Sequence, residues 1–316
     1  MFSVIIPLYN KAKYIEKAIN SVVNQTFKDW ELIVIDDGST DNSLEIAKQF
    51  TIYNLQFTIL TQENSGVSTA RNNGVKAAKY DYIAFLDADD WWQPTFLEEI
   101  KNLIDDFPEG VLFASSYFKV KNGKNIPAKI GVPDGFERGY FDYMQAYINS
   151  LYMPITSITA VIKKGIFDEM GGFKPNLTLG EDFDLWLRIA LKYKVVLVNK
   201  PLAFYNQDVE QQSRGVAFDK IYEPETIFIF NLDYLENEEK NNPILKQMLD
   251  NLRVYTLTRY YIHGKYTNEF KYEIAKVDMQ KQPKKVRKLY KTPRQWLLLK
   301  NRIFFLLKNI KNTLSK

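Results

Sequence analysis

Tyr82-Ile83-Ala84-Phe85-Leu86-Asp87-Ala88-Asp89-Asp90 is the stretch that decides how the chain is organised. Its first five residues form an apolar run typical of a strand buried in a parallel sheet, and three carboxylates follow within four residues. Ligands of open α/β sheets bind beyond the carboxyl ends of the strands, so these acidic residues are candidates for holding a divalent cation. The alternative is a solvated turn that caps the next helix, which is the favoured interpretation for an isolated Asp-x-Asp sequence.

Three earlier segments repeat the same order of strand, polar loop and helix. The predicted strands are residues 3–8, 30–35 and 56–60, and a helical pattern follows each of them. Strands that alternate with helices at this spacing form βαβ units, so the sequence predicts an α/β fold with a mostly parallel sheet. Polar clusters then meet at one edge of that sheet, where they follow the strand ends as Tyr9-Asn10, Asp36-Asp37-Gly38-Ser39 and Asp87-Ala88-Asp89-Asp90.

Two residues near this edge suit a nucleotide. Asp37 can accept a hydrogen bond from the N3–H group of uracil, whereas an ordinary turn at Asp37-Gly38 is the structural alternative. Arg71 can neutralise a phosphate or pair with one of the acidic loops, and the sequence leaves both interpretations open.

Composition limits the class of protein. With 46% hydrophobic and 25% charged residues among 316, the chain is expected to be globular. It has no cysteine, which excludes disulfides, thiolate metal sites and cysteine nucleophiles. No apolar run is long enough to span a bilayer and the first residues lack a signal-peptide pattern, so we expect a cytoplasmic protein.

Positive charge is concentrated at the end of the chain. The net charge is +4, but residues 281–316 carry twelve Lys and Arg and no acidic residue, so residues 1–280 carry the difference, −8. The acidic sheet edge and the absence of a nucleic-acid-binding motif argue against a nucleic acid partner. The segment from Trp296 to Lys308 is basic and amphipathic, which predicts peripheral contact with the inner face of the cell membrane; a helix packed on the protein, with its cations in solvent, is the alternative.

A second pair of carboxylates, Glu181-Asp182, stands at the start of a predicted helix. Phe183, Leu187 and Ala190 define the buried stripe of that helix. Carboxylates in a first turn are favoured by the helix dipole, so the pair by itself indicates ordinary capping.

Taken in order, the motifs resemble those of family 2 glycosyltransferases over roughly the first 95 residues. The segments that carry the resemblance are Val4-Ile5-Ile6-Pro7-Leu8-Tyr9-Asn10, Val22-Val23-Asn24-Gln25-Thr26, Glu31-Leu32-Ile33-Val34-Ile35-Asp36-Asp37-Gly38-Ser39-Thr40-Asp41, Gly66-Val67-Ser68-Thr69-Ala70-Arg71-Asn72-Asn73-Gly74 and Leu86-Asp87-Ala88-Asp89-Asp90. The resemblance implies the glycosyltransferase A fold, a Rossmann-like sheet with an acceptor-side subregion. It also implies a nucleotide-diphosphate sugar donor, a divalent Mn or Mg ion, and inversion at the anomeric carbon.

The resemblance also assigns roles to residues. Asp182, which follows Gly171-Gly172-Phe173, corresponds to the catalytic base, with Glu181 beside it as the second catalytic candidate. The metal site corresponds to Asp89 with Asp87 and Asp90, and the choice between Asp89 and Asp90 as the main ligand stays open. Asp37 corresponds to the residue that binds the nucleobase of the donor. The full set of donor-binding candidates is Pro7, Tyr9, Asn10, Asp37, Arg71, Asp87 and Ala88.

One family element is altered in this chain. Members of the family often carry a Tyr-Arg-x-His-like element that places polar residues over the diphosphate. The matching segment here runs from Phe204 to Arg214, and Asn206 and Asp208 replace its basic residues. Arg214 is the candidate substitute.

The sequence predicts three regions. Residues 1–216 form the catalytic domain, with a donor half at about 1–95 and an acceptor half at about 96–216. A helical extension follows at 217–280, and the basic amphipathic tail occupies 281–316.

The predicted function is that of an inverting, metal-assisted hexosyl- or N-acetylhexosaminyl-transferase with Asp182 as base. Its donor would be a UDP-sugar, and its acceptor a hydroxyl of a cell-surface polysaccharide or lipid-linked glycan. The alternatives are a polyprenyl-phosphate sugar synthase and a non-catalytic nucleotide-sugar-binding protein.

Overall fold

The structure is a computed structural model that describes residues 1–52, 56–210 and 221–298. The chain divides into two compact units, Met1–Ala217 and Phe218–Lys316. The predicted borders of the catalytic domain, its two halves, the extension and the tail stay predictions. Arg214 and the part of the predicted membrane segment beyond residue 298 lie outside the described residues.

The first unit is built on one sheet, whose strands pair in the order β3-β2-β1-β4-β9-β6-β10-β5, with β7 beside β6 and β8 beside β10. Its strands, among the described residues, are β1 (Phe2–Leu8), β2 (Trp30–Asp36), β3 (Phe57–Thr61), β4 (Tyr82–Phe85), β5 (Trp91–Trp92), β6 (Gly110–Lys121), β7 (Lys124–Pro127), β8 (Arg138–Tyr140), β9 (Ala160–Lys163) and β10 (Lys194–Asn206). Its helices, within the same ranges, are α1 (Ile15–Val23), α2 (Ser43–Gln49), α3 (Val67–Ala77), α4 (Phe96–Asp106), α5 (Tyr143–Ser150), α6 (Lys164–Glu169) and α7 (Glu181–Ala190).

The first four strands form the parallel part of the sheet. β1 pairs in parallel with β2 and with β4, and β2 pairs in parallel with β3. Leu8 stands opposite Asp36 in this register, and Ile5 stands opposite Phe85. The loops after β1, β2 and β4 therefore open at one edge of the sheet, and the predicted α/β fold class is confirmed.

The central strands are covered on both faces, which explains their nearly continuous apolar sequences. Val4, Ile5 and Ile6 of β1 are fully buried. Gly74 lets α3 lie close to β1, because a Cβ atom at this position would come within 2.4 Å of Ile5 Cγ2. An alanine here would force a core side chain out of its place.

The second half of the sheet is mixed rather than parallel. β9 runs antiparallel to both β4 and β6, whereas β6 and β10 run parallel. β9 begins at Ala160, directly after a 3₁₀ turn formed by Ser157–Thr159. Thr156 N–H donates to Thr159 Oγ1 at 3.1 Å and closes that turn.

The second unit is helical in its described residues, as the sequence predicts. Its helices are α8 (Glu236–Asn241), α9 (Pro243–Thr256), α10 (Thr258–His263), α11 (Thr267–Ala275) and α12 (Lys284–Lys291). Arg253 of α9 is buried and donates to Glu273 at 2.9 Å and to Glu239 at 2.8 Å, so the buried cation is paired. Within the described ranges, no helix is both long and apolar enough to cross a membrane.

Candidate active site

The loop after β4 holds three carboxylates, each bonded to a different neighbour. Asp87 Oδ1 accepts a hydrogen bond from Arg71 Nη2 at 2.7 Å, and Asp89 Oδ2 accepts one from Lys11 Nζ at 2.5 Å. Asp90 is buried, and its Oδ1 accepts from the backbone N–H of Asn206 at 2.7 Å. The loop at residues 87–90 thus contacts three other segments, namely α3, the loop after β1 and the end of β10.

Negative charge is concentrated in this loop. Burial raises the pKa of the Asp89 carboxyl, the Lys11 ammonium opposes that rise, and the charge of Asp87 adds to it. Burial together with the charges of Asp89 and Asp87 raises the pKa of Asp90 well above its usual range. A cation bound beside these groups would relieve the repulsion between them.

Arg71 of α3 connects this loop to the second acidic centre. Its side chain is only 3% exposed, and its Nη1 donates to Glu181 Oε1 at 2.9 Å while Nη2 holds Asp87. Of the two roles that the sequence leaves open for Arg71, pairing with acidic segments is the one seen here. One guanidinium therefore fixes the distance between the β4 loop and the start of α7.

Asp182 lies next to Glu181 in the first turn of α7. Its Oδ1 accepts from the N–H of Phe183 at 2.7 Å, and its Oδ2 lies 3.4 Å from Ser157 Oγ. Burial, followed by the charge of Glu181, raises the pKa of Asp182 to about 7, although Arg71 opposes the rise. A carboxyl with such a pKa can gain or lose a proton near neutral pH.

Asp184, two residues further on, has a different environment. It is fully buried and accepts hydrogen bonds from Lys174 Nζ and Arg188 Nε, both at 2.8 Å. Arg188 also donates to the carbonyl of Gly172 at 2.8 Å. Asp184 thus fastens the segment before α7, whereas Asp182 faces the other carboxylates.

Asp37 stands at the end of β2 and is 3% exposed. It accepts from Gln62 Nε2 at 2.7 Å, from Ser65 N–H at 2.8 Å and from Gly66 N–H at 2.9 Å. A carboxylate has about four acceptor positions, so one remains for a ligand. Gly38 has a φ of +76°, which favours glycine, but residues 37–40 do not form the turn that the sequence offers as the alternative.

The remaining donor-binding candidates surround this edge of the sheet. Asn10 takes a left-handed φ of 51°, and its Oδ1 accepts from Thr40 N–H at 2.8 Å, so it ties the β1 loop to the β2 loop. Tyr9 is 46% exposed. Pro7 is half-buried and Ala88 is buried.

Sequence reasoning assigns no role to two further residues of this site. Lys11 follows the recognised Tyr9-Asn10 pair directly, which is the signal that points to it, and it contacts Asp89. Tyr205 lies at the end of β10, where burial followed by the charges of Asp90, Asp87, Asp89 and Asp182 raises its pKa to about 12. Its hydroxyl thus lies in the field of both acidic centres.

The altered segment after β10 makes structural contacts. Asp208 accepts from the N–H groups of Asn122 at 2.7 Å and Gly123 at 2.8 Å, which holds the turn between β6 and β7. The backbone N–H of Asn206 donates to Asp90 Oδ1. Residues 204–210 contain no Lys or Arg, so this part of the segment brings no positive charge to the site.

The carboxylates do not form a complete metal cage. No group of three or more His, Asp or Glu side chains arranged around one ion is found in the part of the chain that the structure describes. Mg²⁺ in nucleotide sites is usually bound by one or two carboxylates together with phosphate oxygens and water. The adjacent Asp87 and Asp89 fit that smaller donor set, and the charge of Asp87 helps to raise the pKa of Asp89.

Comparison with known proteins places the chain in a class. The family model "Glycosyl transferase family 2" matches residues 3–171, which is more than half of the chain. The chain therefore belongs to glycosyltransferase family 2, and the predicted family is confirmed.

Two relatives illustrate the similarity in sequence. Glycosyltransferase GlyA of Streptococcus pneumoniae serotype 4 is 30% identical over 212 residues, which cover 64% of this chain but 30% of GlyA. TuaG of Bacillus subtilis strain 168, whose name assigns it provisionally to teichuronic acid biosynthesis, is 29% identical over 208 residues, or 65% of this chain and 78% of TuaG. The chain thus spans less than a third of the length of GlyA.

Two solved structures share the fold. TarS 1–349 of S. aureus, in complex with UDP-GlcNAc, has a TM-score of 0.68 at 21% identity, over 91% of this chain and 83% of the TarS chain. The mannosyltransferase PcManGT of Pyrobaculum calidifontis, in complex with GDP-Man and Mn²⁺, has a TM-score of 0.55 at 16% identity, over 98% of this chain and 82% of that one. At these identities the two structures show that the fold is shared, and the ligands in them are properties of those proteins.

Proposed function

We propose that this protein is an inverting glycosyltransferase that moves a hexosyl or N-acetylhexosaminyl group from a UDP-sugar to a hydroxyl of a cell-surface polysaccharide or lipid-linked glycan. The observation that carries the proposal is the position of Asp182, whose pKa is raised to about 7 next to the Arg71 guanidinium that also holds Asp87. Arg71 thus connects the donor-side acidic loop, through Asp87, to Glu181, the residue directly before the proposed proton acceptor.

Asp182 acts as the general base in the proposed reaction. Its carboxylate takes the proton of the acceptor hydroxyl while the hydroxyl oxygen forms its bond to the anomeric carbon. The bond between that carbon and the β-phosphate oxygen breaks, and UDP leaves with the bonding electron pair. Attack and departure occur on opposite sides of the carbon, so the configuration is inverted.

A divalent cation, Mn²⁺ or Mg²⁺, fits the donor side of the site. Asp89 and Asp87 would hold it, with Asp90 behind them, and when bound it would offset the charge that develops on the departing diphosphate. Arg71 keeps Asp87 in place through the 2.7 Å hydrogen bond. The PcManGT structure, which contains Mn²⁺, supports this choice of ion class.

Uracil is the base that we propose for the donor. Asp37 retains one acceptor position after its three hydrogen bonds to the β3–α3 segment, and the N3–H of uracil is a donor that matches it. The TarS structure in complex with UDP-GlcNAc supports a uridine nucleotide and an N-acetylhexosamine. Pro7, Tyr9, Asn10 and Ala88 would line the same nucleotide site.

A membrane-bound acceptor suits the basic end of the chain. α12 exposes Lys284, Lys285 and Lys288, and Trp296 beyond it is 66% exposed. Exposed cations and an exposed tryptophan favour an anionic lipid surface, and this supports our proposal that the enzyme works at the inner face of the cell membrane. The name of TuaG supports a cell-surface polysaccharide as the product class.

A thermal-shift panel tests the donor, because a ligand that binds only the folded protein raises its melting temperature. We expect UDP-sugars with Mn²⁺ to stabilise the protein by about 2–3 kcal/mol at a hundredfold excess over Kd. Transfer is then assayed with hydroxyl and polyprenyl-phosphate acceptors. Absence of a shift with every nucleotide diphosphate would contradict the donor site, and a product formed only on the phosphate would favour the polyprenyl-phosphate sugar synthase.

A further inference from the structure

We propose that Lys11 is a further donor-binding residue, which places its ammonium group on the diphosphate of the nucleotide sugar. The inference rests on the proposed function, because it assumes a nucleotide-diphosphate donor in this site. It gives a role to a side chain that belongs to none of the recognised motif positions.

Both the backbone and the side-chain ammonium of Lys11 are held by hydrogen bonds. Its backbone N–H donates to Ser43 Oγ at 2.7 Å, and its Nζ donates to Asp89 Oδ2 at 2.5 Å. The side chain is 16% exposed, so the ammonium lies in the site rather than in bulk solvent. Asp89 thus holds the ammonium group of Lys11 beside the donor-side acidic loop.

The diphosphate needs a cation from the protein, and the described segment after β10 brings none. Residues 204–210 contain no Lys or Arg, and Asp208 is engaged with the turn between β6 and β7. The β1 loop lies directly beside this segment, because Lys13 Nζ pairs with Glu210 at 2.6 Å and Tyr14 Oη accepts from Glu210 N–H at 3.2 Å. Lys11 therefore lies in the loop beside the segment where Asn206 and Asp208 replace the basic residues, and the other candidate, Arg214, lies outside the described residues.

Charge balance favours Lys11 over Arg71 for this role. Arg71 has two carboxylate partners, Asp87 and Glu181, so that group of three carries a net negative charge. The Lys11–Asp89 pair, considered by itself, has no net charge. An ammonium has three N–H donors, so Lys11 can hold Asp89 and a phosphate oxygen at the same time.

The test compares UDP with UMP, because the two differ by the phosphate that Lys11 is proposed to contact. Binding of both is measured by calorimetry with the full chain, in Mn²⁺ and again in EDTA. We expect Lys11→Gln and Lys11→Met to weaken UDP binding about tenfold and to leave UMP binding unchanged, since one charge-assisted hydrogen bond is lost. Lys11→Arg, which keeps the charge, should retain most of the preference for UDP.

Lys48→Gln is the matched control, because Lys48 is an exposed residue of α2 that pairs with Glu45. It should change neither affinity. An unchanged ratio of UDP to UMP affinity in both neutral Lys11 variants would overturn the proposal, and so would an equal loss of both affinities, which would indicate that Lys11 only holds the loop. Failure of the unmodified protein to bind either nucleotide would contradict the proposed function itself, and this inference with it.

Discussion

Glu181 accepts a hydrogen bond from Arg71 Nη1 at 2.9 Å, and the same guanidinium holds Asp87 through Nη2. Glu181 begins α7 and Asp87 follows β4, so a single buried side chain of α3 joins two acidic segments that are far apart in sequence. Because Asp182 is the next residue of α7, its proton affinity depends on this pair.

Replacement of Arg71 should destabilise the protein. Arg71→Gln leaves Asp87 and Glu181 without their shared cation, and breaking a buried ion pair costs about 3 kcal/mol. Denaturant unfolding measures the loss. Arg138→Gln is the control, because Arg138 forms a half-exposed pair with Asp106 and should cost less than about 1 kcal/mol. Equal effects of the two changes would show that the Arg71 bridge contributes no special stability.

The pH dependence of transfer should follow the ionisation of Asp182. A base works as the carboxylate, so kcat/KM should fall as the pH drops through about 7, the pKa of Asp182. Glu181 raises this pKa and Arg71 lowers it, so Glu181→Gln should move the acid limb to lower pH and Arg71→Gln should move it to higher pH. A pH-rate profile of each variant measures these shifts. If the acid limbs of Glu181→Gln and Arg71→Gln moved in the same direction, the assignment of Asp182 would be contradicted.

Asp182→Asn should lose transfer while keeping the donor. Removal of a general base lowers the rate by about 10² to 10⁴, whereas binding of UDP should stay within about twofold, because Asp182 is assigned to the acceptor. Calorimetry and product analysis measure the two quantities. Asp105→Asn, at an exposed residue of α4 that pairs with Lys101, is the control and should behave as the unmodified protein. Near-normal transfer by Asp182→Asn would refute the base role.

The same substitution should also stabilise the fold, by an amount that depends on pH. The ordinary pKa of an aspartate is 3.8, and that of Asp182 is raised to about 7. Between these values the unfolded chain has lost the proton and the folded chain still holds it, so the carboxyl costs stability progressively as the pH rises, with no further change above about 7.

An asparagine cannot ionise, so Asp182→Asn should melt at a higher temperature than the unmodified protein near pH 8, by about 2–4 °C for each kcal/mol that the raised pKa costs, and at the same temperature near pH 3, where both states hold the proton. Thermal unfolding at the two pH values measures the difference. A stabilisation that is the same at both pH values would show that packing, and not the charge of Asp182, is the cause.

The sequence predicts the donor half of the sheet well, because its signals are local. The buried strand before Asp87 reads as an apolar run, and the loops after the parallel strands must open at one edge. The acceptor half depends on pairings between distant segments, such as β9 with β4 and β6, which no local pattern specifies. The mixed strand directions there could not be predicted for that reason.

The sequence predicts which residues belong to the site better than it predicts which side chains pair with one another. The sequence identifies Arg71 as a residue of the site but leaves its partner open, because Glu181 lies 110 residues away. Lys11 was missed for a related reason. A lysine in a loop is usually a solvated residue, and only the folded chain brings it to Asp89.

The last prediction separates Asp89 from Asp90 as metal ligands. Asp90 is buried and already accepts from the N–H of Asn206 at 2.7 Å, whereas the side chain of Asp89 is 19% exposed and its Oδ2 contacts Lys11. Lys11 holds Asp89 through Oδ2, so a cation can approach Oδ1 without breaking that bond, whereas Asp90 is only 2% exposed. Asp89 should therefore be the main ligand, and Asp90 should act on it through charge.

Mn²⁺ affinity, measured by electron paramagnetic resonance in the presence of UDP, is the direct test. Asp89→Asn should weaken Mn²⁺ binding at least tenfold, because a charged oxygen ligand is lost. Asp90→Asn should change it by less than about threefold, since a neutral side chain can still accept the Asn206 hydrogen bond. Asp105→Asn again serves as the exposed control. A larger loss for Asp90→Asn than for Asp89→Asn would reverse the assignment and would require the loop after β4 to turn when the cation binds.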